Sequence, residues 1–254
     1  MRAVTFNGLD LQTSTYTTIG IVGVDEQTQV RTDAPMSSIS NGSYIRDKKF
    51  GSKVIVLTVI VTGTSLIDAE TKVDTLKRDI FLGVKGNLDI TFAGETRRWV
   101  ATVESMTNTR FRGISREFEI ELMTESFGFE PQATTVSYVA ETASTFTKVI
   151  DVLGSYQVRP IITIDVNSAT DLTRISILNQ TNNRRIEINS VFTASNTLIV
   201  DTRVGSERIA LDGVGIVPDG IFPFMEVGSN SLVFTVTSTA HNLDIDVQYN
   251  KLYL

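Results

Sequence analysis

The chain has 254 residues, no cysteine, a single histidine and a formal net charge of −6 from 23 Lys+Arg against 29 Asp+Glu. Without thiols it can form no disulfide framework, no Cys-ligated metal centre and no cysteine nucleophile, and one histidine cannot supply a multi-histidine metal site. The acidic balance argues against a protein whose main work is gripping nucleic-acid phosphates, and the length predicts two compact units.

Thr, Val and Ile make up roughly a third of the residues, and such branched side chains fit a pleated surface better than a helix. The opening Met1–Gly8 lacks the apolar stretch of a signal peptide. The longest apolar run, Val54–Val61, is interrupted by Thr58 and falls short of a membrane span, so the expectation is a protein made soluble in the cytoplasm. Residues 1–50 read as irregular. Lys53–Thr62 then reads as a core strand covered on both faces. A helix is predicted over residues 65–82: Ser65 caps it, Asp68 follows as in a capping box, and Leu66, Ala69, Val73, Leu76 and Ile80 share one face. Gly83 and Gly86 end it. Strands are predicted at 88–92, 97–104 and 116–124, the last with Phe118, Ile120 and Leu122 inward and Glu117, Glu119 and Glu121 outward.

Phe127–Pro131 reads as the close of one unit, and Gly154 and Pro160 as the start of the next, which divides the chain into 1–154 and 155–254. Beyond that point the pattern is short strands at 161–166, 174–179, 185–191, 197–202, 208–212, 231–237 and 243–249. That rhythm predicts an antiparallel β-sandwich.

Catalytic motifs are absent from this pattern. Asp244 with Asp246, and Glu117 with Glu119 and Glu121, fall at spacing two on strands and read as solvated faces rather than a glycosidase pair, which needs two carboxyl groups across a sugar cleft. Asp165, Asp201, Asp212 and Asp219 lack calcium-loop spacing and read as turn formers. His241 is expected in a loop, and Trp99 as a core or interface anchor. No glycine-rich phosphate loop is present. No enzyme activity and no cofactor are expected. Two basic clusters are the candidate contact residues: Arg46, Lys48, Lys49 and Lys53 ahead of the core strand, and Arg110, Arg112 and Arg116 beside Phe111 in a loop. Arginine next to an aromatic is a common interface composition, and such loops could pair with an acidic neighbour.

The order of elements resembles a known family, the distal tail (Dit) proteins of long-tailed bacteriophages. The residues that carry the resemblance are Phe6-Asn7-Gly8, Phe50–Gly63, the helix with Ala69-Glu70 and Leu76, Leu88–Phe92, Arg98–Ala101, Phe118–Leu122 and Phe127–Pro131. In the second half they are Arg159–Ile164, Leu198–Asp201 and Asp219–Asn230. The resemblance implies a mainly β protein. Its first domain would be a tail-tube-like β-sandwich or barrel with one packed helix, followed by a galectin-like antiparallel β-sandwich. It implies a structural role without catalysis: a homohexameric ring at the distal end of the tail, joined to the tail tube protein, to a tail-tip hub or tail-associated lysin protein, and to receptor-binding proteins. DNA would pass through the central channel. Longer relatives carry an inserted carbohydrate-binding module for which 254 residues leave no room. Residues 31–52 are the candidate clasping arm, which would place Arg46, Lys48 and Lys49 at a subunit contact. The alternative reading is a β-sandwich carbohydrate-binding module for host cell wall, with Phe222, Phe224 and Tyr249 as its only candidate aromatic platform.

Overall fold

The computed structural model describes residues 3–24, 30–33, 47–81 and 85–254, and for 30–33 and 47–50 the backbone alone. The described residues are mainly antiparallel β and fall into two compact units, 1–131 with residue 254, and 132–253. In the first unit the strands are β1 (Ala3–Phe6), β2 (Leu9–Asp10), β3 (Tyr16–Val22), β4 (Val30–Asp33), β5 (Asp47–Phe50) and β6 (Lys53–Thr62). After α1 (Leu66–Phe81) come β7 (Gly86–Phe92), β8 (Glu95–Arg112), β9 (Ser115–Thr124) and β10 (Gly128–Phe129). The main sheet runs β2-β1-β7-β8-β9-β6-β3, and β4 and β5 form a separate ribbon. Because that order starts at β2 and stops at β3, the sheet stays open; the barrel alternative is not realised.

Local chemistry explains α1. The Ser65 hydroxyl accepts the Asp68 amide at 3.1 Å, and the Asp68 carboxylate accepts the Thr64 amide at 2.6 Å and the Thr64 hydroxyl at 3.0 Å. The helix therefore starts where the capping pattern puts it. Ala69, Val73, Leu76 and Ile80 bury one stripe against β6 and β9. Leu66, expected on that stripe, is 53% exposed because it precedes the first turn that reaches the sheet.

Two expectations for this unit fail for physical reasons. Where the opening is described it is not irregular: β1 pairs β7 and β3 pairs β6, so these short segments are held by partners distant in sequence, while most of the candidate arm, 34–46, lies outside the described residues. The Lys53–Thr62 strand is buried on one face only. Ile55, Leu57, Val59 and Val61 enter the core, while Val54, Val56, Thr58 and Ile60 line the opposite, partly exposed face, which no helix covers among the described residues.

The second unit contains β11 (Thr134–Glu141), β12 (Thr145–Val152), β13 (Ile161–Thr170), β14 (Leu172–Asn179), β15 (Arg184–Phe192) and β16 (Thr197–Asp201). It continues with β17 (Arg208–Leu211), β18 (Val214–Ile216), β19 (Asp219–Gly220), β20 (Gly228–Thr237), β21 (Ala240–Tyr249) and β22 (Leu252–Tyr253). Two sheets, β11-β21-β13-β16-β17-β18 and β12-β20-β14-β15-β19, enclose one apolar core built from Ile162, Ile164, Ile175, Ile177, Ile186, Phe234 and Ile245 among others. All seven strands expected here are present. The expected division at 154/155 differs from the observed one, because β11 pairs β21 and β12 pairs β20 along eight consecutive residues. Residues 134–152 thus belong to the sandwich, although they precede the composition change at Gly154.

One ion pair gives this unit a measurable acid dependence. Asp201 is buried; its carboxylate accepts Nε of Arg203 at 2.9 Å and Nη2 at 2.7 Å, and these bonds hold its pKa below the usual carboxylate range. A depressed carboxylate contributes stability that is present above its unfolded pKa and is lost as pH falls through the folded value. Asp201→Asn should therefore cost about 1 kcal/mol near neutral pH, discounted for the half-exposed guanidinium. The gap between variant and parent should close in acid. Urea unfolding at a series of pH values tests this; a gap independent of pH refutes it.

Candidate interaction surface

Strands β8 and β9 form a long hairpin whose register pairs Arg112 with Ser115, leaving Gly113-Ile114 as a two-residue turn. Gly113 has φ +55°, the positive value that the first position of a Gly-X hairpin turn needs. Arg110, Phe111 and Arg112 therefore stand at the end of a strand and not in a loop. All three are exposed, Phe111 by 61%.

Arg116 is a different kind of residue from its basic neighbours. It lies in β9, is 2% exposed, and braces the tip from beneath. Its Nε and Nη2 donate to Glu70 Oε1 on α1 at 3.1 and 2.5 Å, and its Nη1 donates to the carbonyls of Gly113 at 2.7 Å and Ser115 at 3.2 Å. Its Cζ lies 3.4 Å from the Phe111 ring centroid, a cation–π contact. Helix, turn and aromatic are thus held by one guanidinium, which fixes the tip's direction. Sequence reasoning missed this brace. Glu70 and Arg116 lie 46 residues apart, and only the apolar face of α1 hinted that the helix packs beside β9.

Beside the tip, the uncovered face of the sheet carries a ridge of Glu117, Glu119 and Glu121 along β9. Register places Ile60, Thr58 and Val56 of β6 on one side of it and Arg110, Thr107 and Ser105 of β8 on the other. Met123 of β9 itself, Val54 of β6, and Ile19 and Val22 of β3 are exposed apolar side chains. Of the first basic cluster, Lys48 and Lys49 lie in β5 opposite Thr32 and Arg31, and Arg46 lies outside the described residues. Lys53 is buried, with Nζ donating to the Val24 carbonyl at 2.5 Å.

The residues weighed for chemistry are scattered. His241 is not in a loop: it lies in β21, buried, with Nδ1 2.7 Å from the Ser238 hydroxyl and Nε2 3.1 Å from the Ala143 carbonyl. Trp99 is a core residue. Asp165 accepts the Thr197 hydroxyl, Asp212 accepts the Thr197 amide, and Asp219 sits at the β19 edge, so these carboxylates serve separate strand and turn positions. Asp244 takes hydrogen bonds from the Asn167 side chain and the Ala140 amide, which lower its pKa. Of the candidate platform, Phe224 and Tyr249 are buried in the second unit and Phe222 is half-buried against its core, so the three form no exposed aromatic surface.

An open antiparallel sheet bearing α1, followed in the chain by a two-sheet sandwich, is a mainly antiparallel β architecture with exposed strand and hairpin surfaces. Residues 153–253 match the sequence family described as siphovirus-type tail component, C-terminal domain. The crystal structure of the SPP1 Dit protein superposes with a TM-score of 0.72 at 13% identity, over 100% of each chain. A chain of the phage p2 baseplate in its activated conformation with strontium gives a TM-score of 0.41 at 11% identity over 98% of each chain. No curated protein matches the sequence. The resemblance to distal tail proteins is thereby borne out, in the second unit by the family match and across the whole chain by the fold. Residues 153–253 thus carry the signature of a tail-component C-terminal domain, and the chain as a whole shares the fold of a Dit protein.

Proposed function

We propose that the protein is a distal tail adaptor that assembles as a homohexameric ring. In the virion it joins the tail tube protein to a tail-tip hub or tail-associated lysin protein, and it carries receptor-binding proteins at its rim. It is made in the host cytoplasm and acts without catalysis or cofactor. The observation that carries this reading is the end-to-end fold shared with SPP1 Dit, itself described as a paradigm of the hub adsorption apparatus in phages infecting Gram-positive hosts.

The first unit supplies surfaces suited to a ring. Its sheet is open at β3, an edge strand with exposed Ile19 and Val22, and unpaired edges are natural docking sites. A head-to-tail contact repeated by rotation closes into a ring. The basic tip Arg110-Phe111-Arg112 and the strand bearing Lys48 and Lys49, with Arg46, are assigned to contacts between subunits. The ridge of Glu117, Glu119 and Glu121 is assigned to the channel wall, where like charge repels DNA phosphates and favours passage over binding.

Light scattering across a concentration series, with negative-stain imaging, tests the ring. The expected species is a hexamer of six times 27.9 kDa, about 167 kDa, with a central hole. A monomer at every concentration overturns the self-assembling ring. The double variant Arg110→Glu/Arg112→Glu should leave the monomer folded, since both side chains are exposed, yet reduce the hexamer fraction at least about tenfold. Rings that form as well as those of the parent remove the tip from the contact.

A further inference from the structure

The outer face of the second sheet carries an ordered row of oxygen-bearing side chains. Register aligns Thr145 of β12, Thr235 of β20, Ser176 of β14, Glu187 of β15 and Asp219 of β19 directly across five strands. Two arginines on the same face bracket it: Arg174, two residues before Ser176, and Arg185, two residues before Glu187. Where β15 meets β19 the surface sinks into a cleft of about 280 Å³, lined by Asn183, Arg185, Glu187, Asp219, Gly220 and Ile221.

The chemistry of this cleft is specific. The Glu187 side chain is 14% exposed and held between guanidiniums, with Arg174 Nη1 at 3.9 Å and Arg185 paired to its other oxygen. Arg174 Nε is buried without a hydrogen-bond partner, a donor that is costly to leave unmade. The nearby charges are two arginines against two carboxylates, so the cleft has no net charge to hold a phosphate or a cationic ligand. It offers instead paired planar donors and acceptors, with Asn183 at one end and the exposed Ile221 as an apolar wall. Adjacent hydroxyl groups on a ring, each both donor and acceptor, match this alternation of guanidinium and carboxylate. No aromatic ring lines the cleft: Phe224 and Tyr249 are buried, and Phe222 packs half-buried against the core.

We infer that this cleft binds a neutral saccharide, with Arg185, Glu187 and Asp219 contacting its hydroxyls and Ile221 covering its apolar face. The site lies wholly within the second unit and does not depend on ring formation.

The test is amide NMR of the full chain titrated separately with a glucose oligosaccharide, an N-acetylglucosamine oligosaccharide, galactose, and inorganic phosphate. The expected result is saturable shifts at residues 176, 185–187 and 219–221 with at least one saccharide, with Kd on the order of 1 mM or tighter. Asp219→Asn and Arg185→Ala, both at exposed positions, should weaken that binding at least about tenfold without altering the rest of the spectrum. Three results overturn the inference: no shift at these amides with any saccharide, shifts confined to other residues, or shifts with phosphate alone, which would make the cleft an anion site. The ring reading is untouched by any of them, because it is read from mass and not from ligand binding.

Discussion

Replacing Arg116 by alanine should destabilise the first unit by about 2–3 kcal/mol and loosen the hairpin tip at the same time. The side chain is almost fully buried, so alanine leaves a void where its stem packed, and it removes the partners of the Gly113 and Ser115 carbonyls. Glu70 is 56% exposed and regains water when unpaired, which keeps the loss below that of a fully buried ion pair. Arg116→Lys should recover less than half of the loss. A lysine ammonium cannot reach Glu70 with two donors, bond the turn and stack under Phe111 in the same pose. Trp99, the only tryptophan and a core residue of this unit, reports the transition by fluorescence in urea. A midpoint unchanged in Arg116→Ala would show that the brace contributes nothing. In the ring reading the same variant should also assemble less well, although Arg116 is itself inaccessible, because Phe111 loses the cation it rests on.

What the sequence revealed and what it hid divide along the range of the interactions. Lys53–Thr62, the helix with its Ser65 cap, and Phe118, Ile120 and Leu122 were legible because their determinants lie within a few residues of one another. Thr134–Val152 was not legible as part of the second unit, since its strands are defined by pairing with β20 and β21, about a hundred residues further on. The second half of β8 was missed for the same reason: Ser105–Arg112 has little apolar alternation and is held by its ladder to β9. Composition alone marked Arg110, Phe111 and Arg112, while only packing separates them from Arg116. The saccharide cleft left one faint trace, the Arg185-x-Glu187 spacing on a predicted strand. Its other members, Arg174 and Asp219, arrive from strands whose register no local pattern encodes.

The largest single loss is expected from Phe234→Ala in the second unit, about 3–5 kcal/mol. Phe234 is fully buried at the middle of β20, which is flanked by β12 and β14, and it stacks on Phe146 of β12 with ring centroids 5.3 Å apart and an interplanar angle of 11°. Truncation removes the transfer energy of the ring, the aromatic pairing and the contacts of every side chain around it. Neighbours such as Ile177, which belongs to the directly opposed pair on β14, sit on ladders bonded on both sides and cannot move in to fill the space. Phe234→Leu keeps most of the volume and should lose less than half as much, which separates cavity formation from a general intolerance of change at this site. Urea unfolding followed by circular dichroism gives both values. Equal losses for alanine and leucine would mean that the aromatic stack dominates, and a loss below about 1 kcal/mol for alanine would mean that the two sheets can close over the gap, contrary to the doubly bonded geometry of β20.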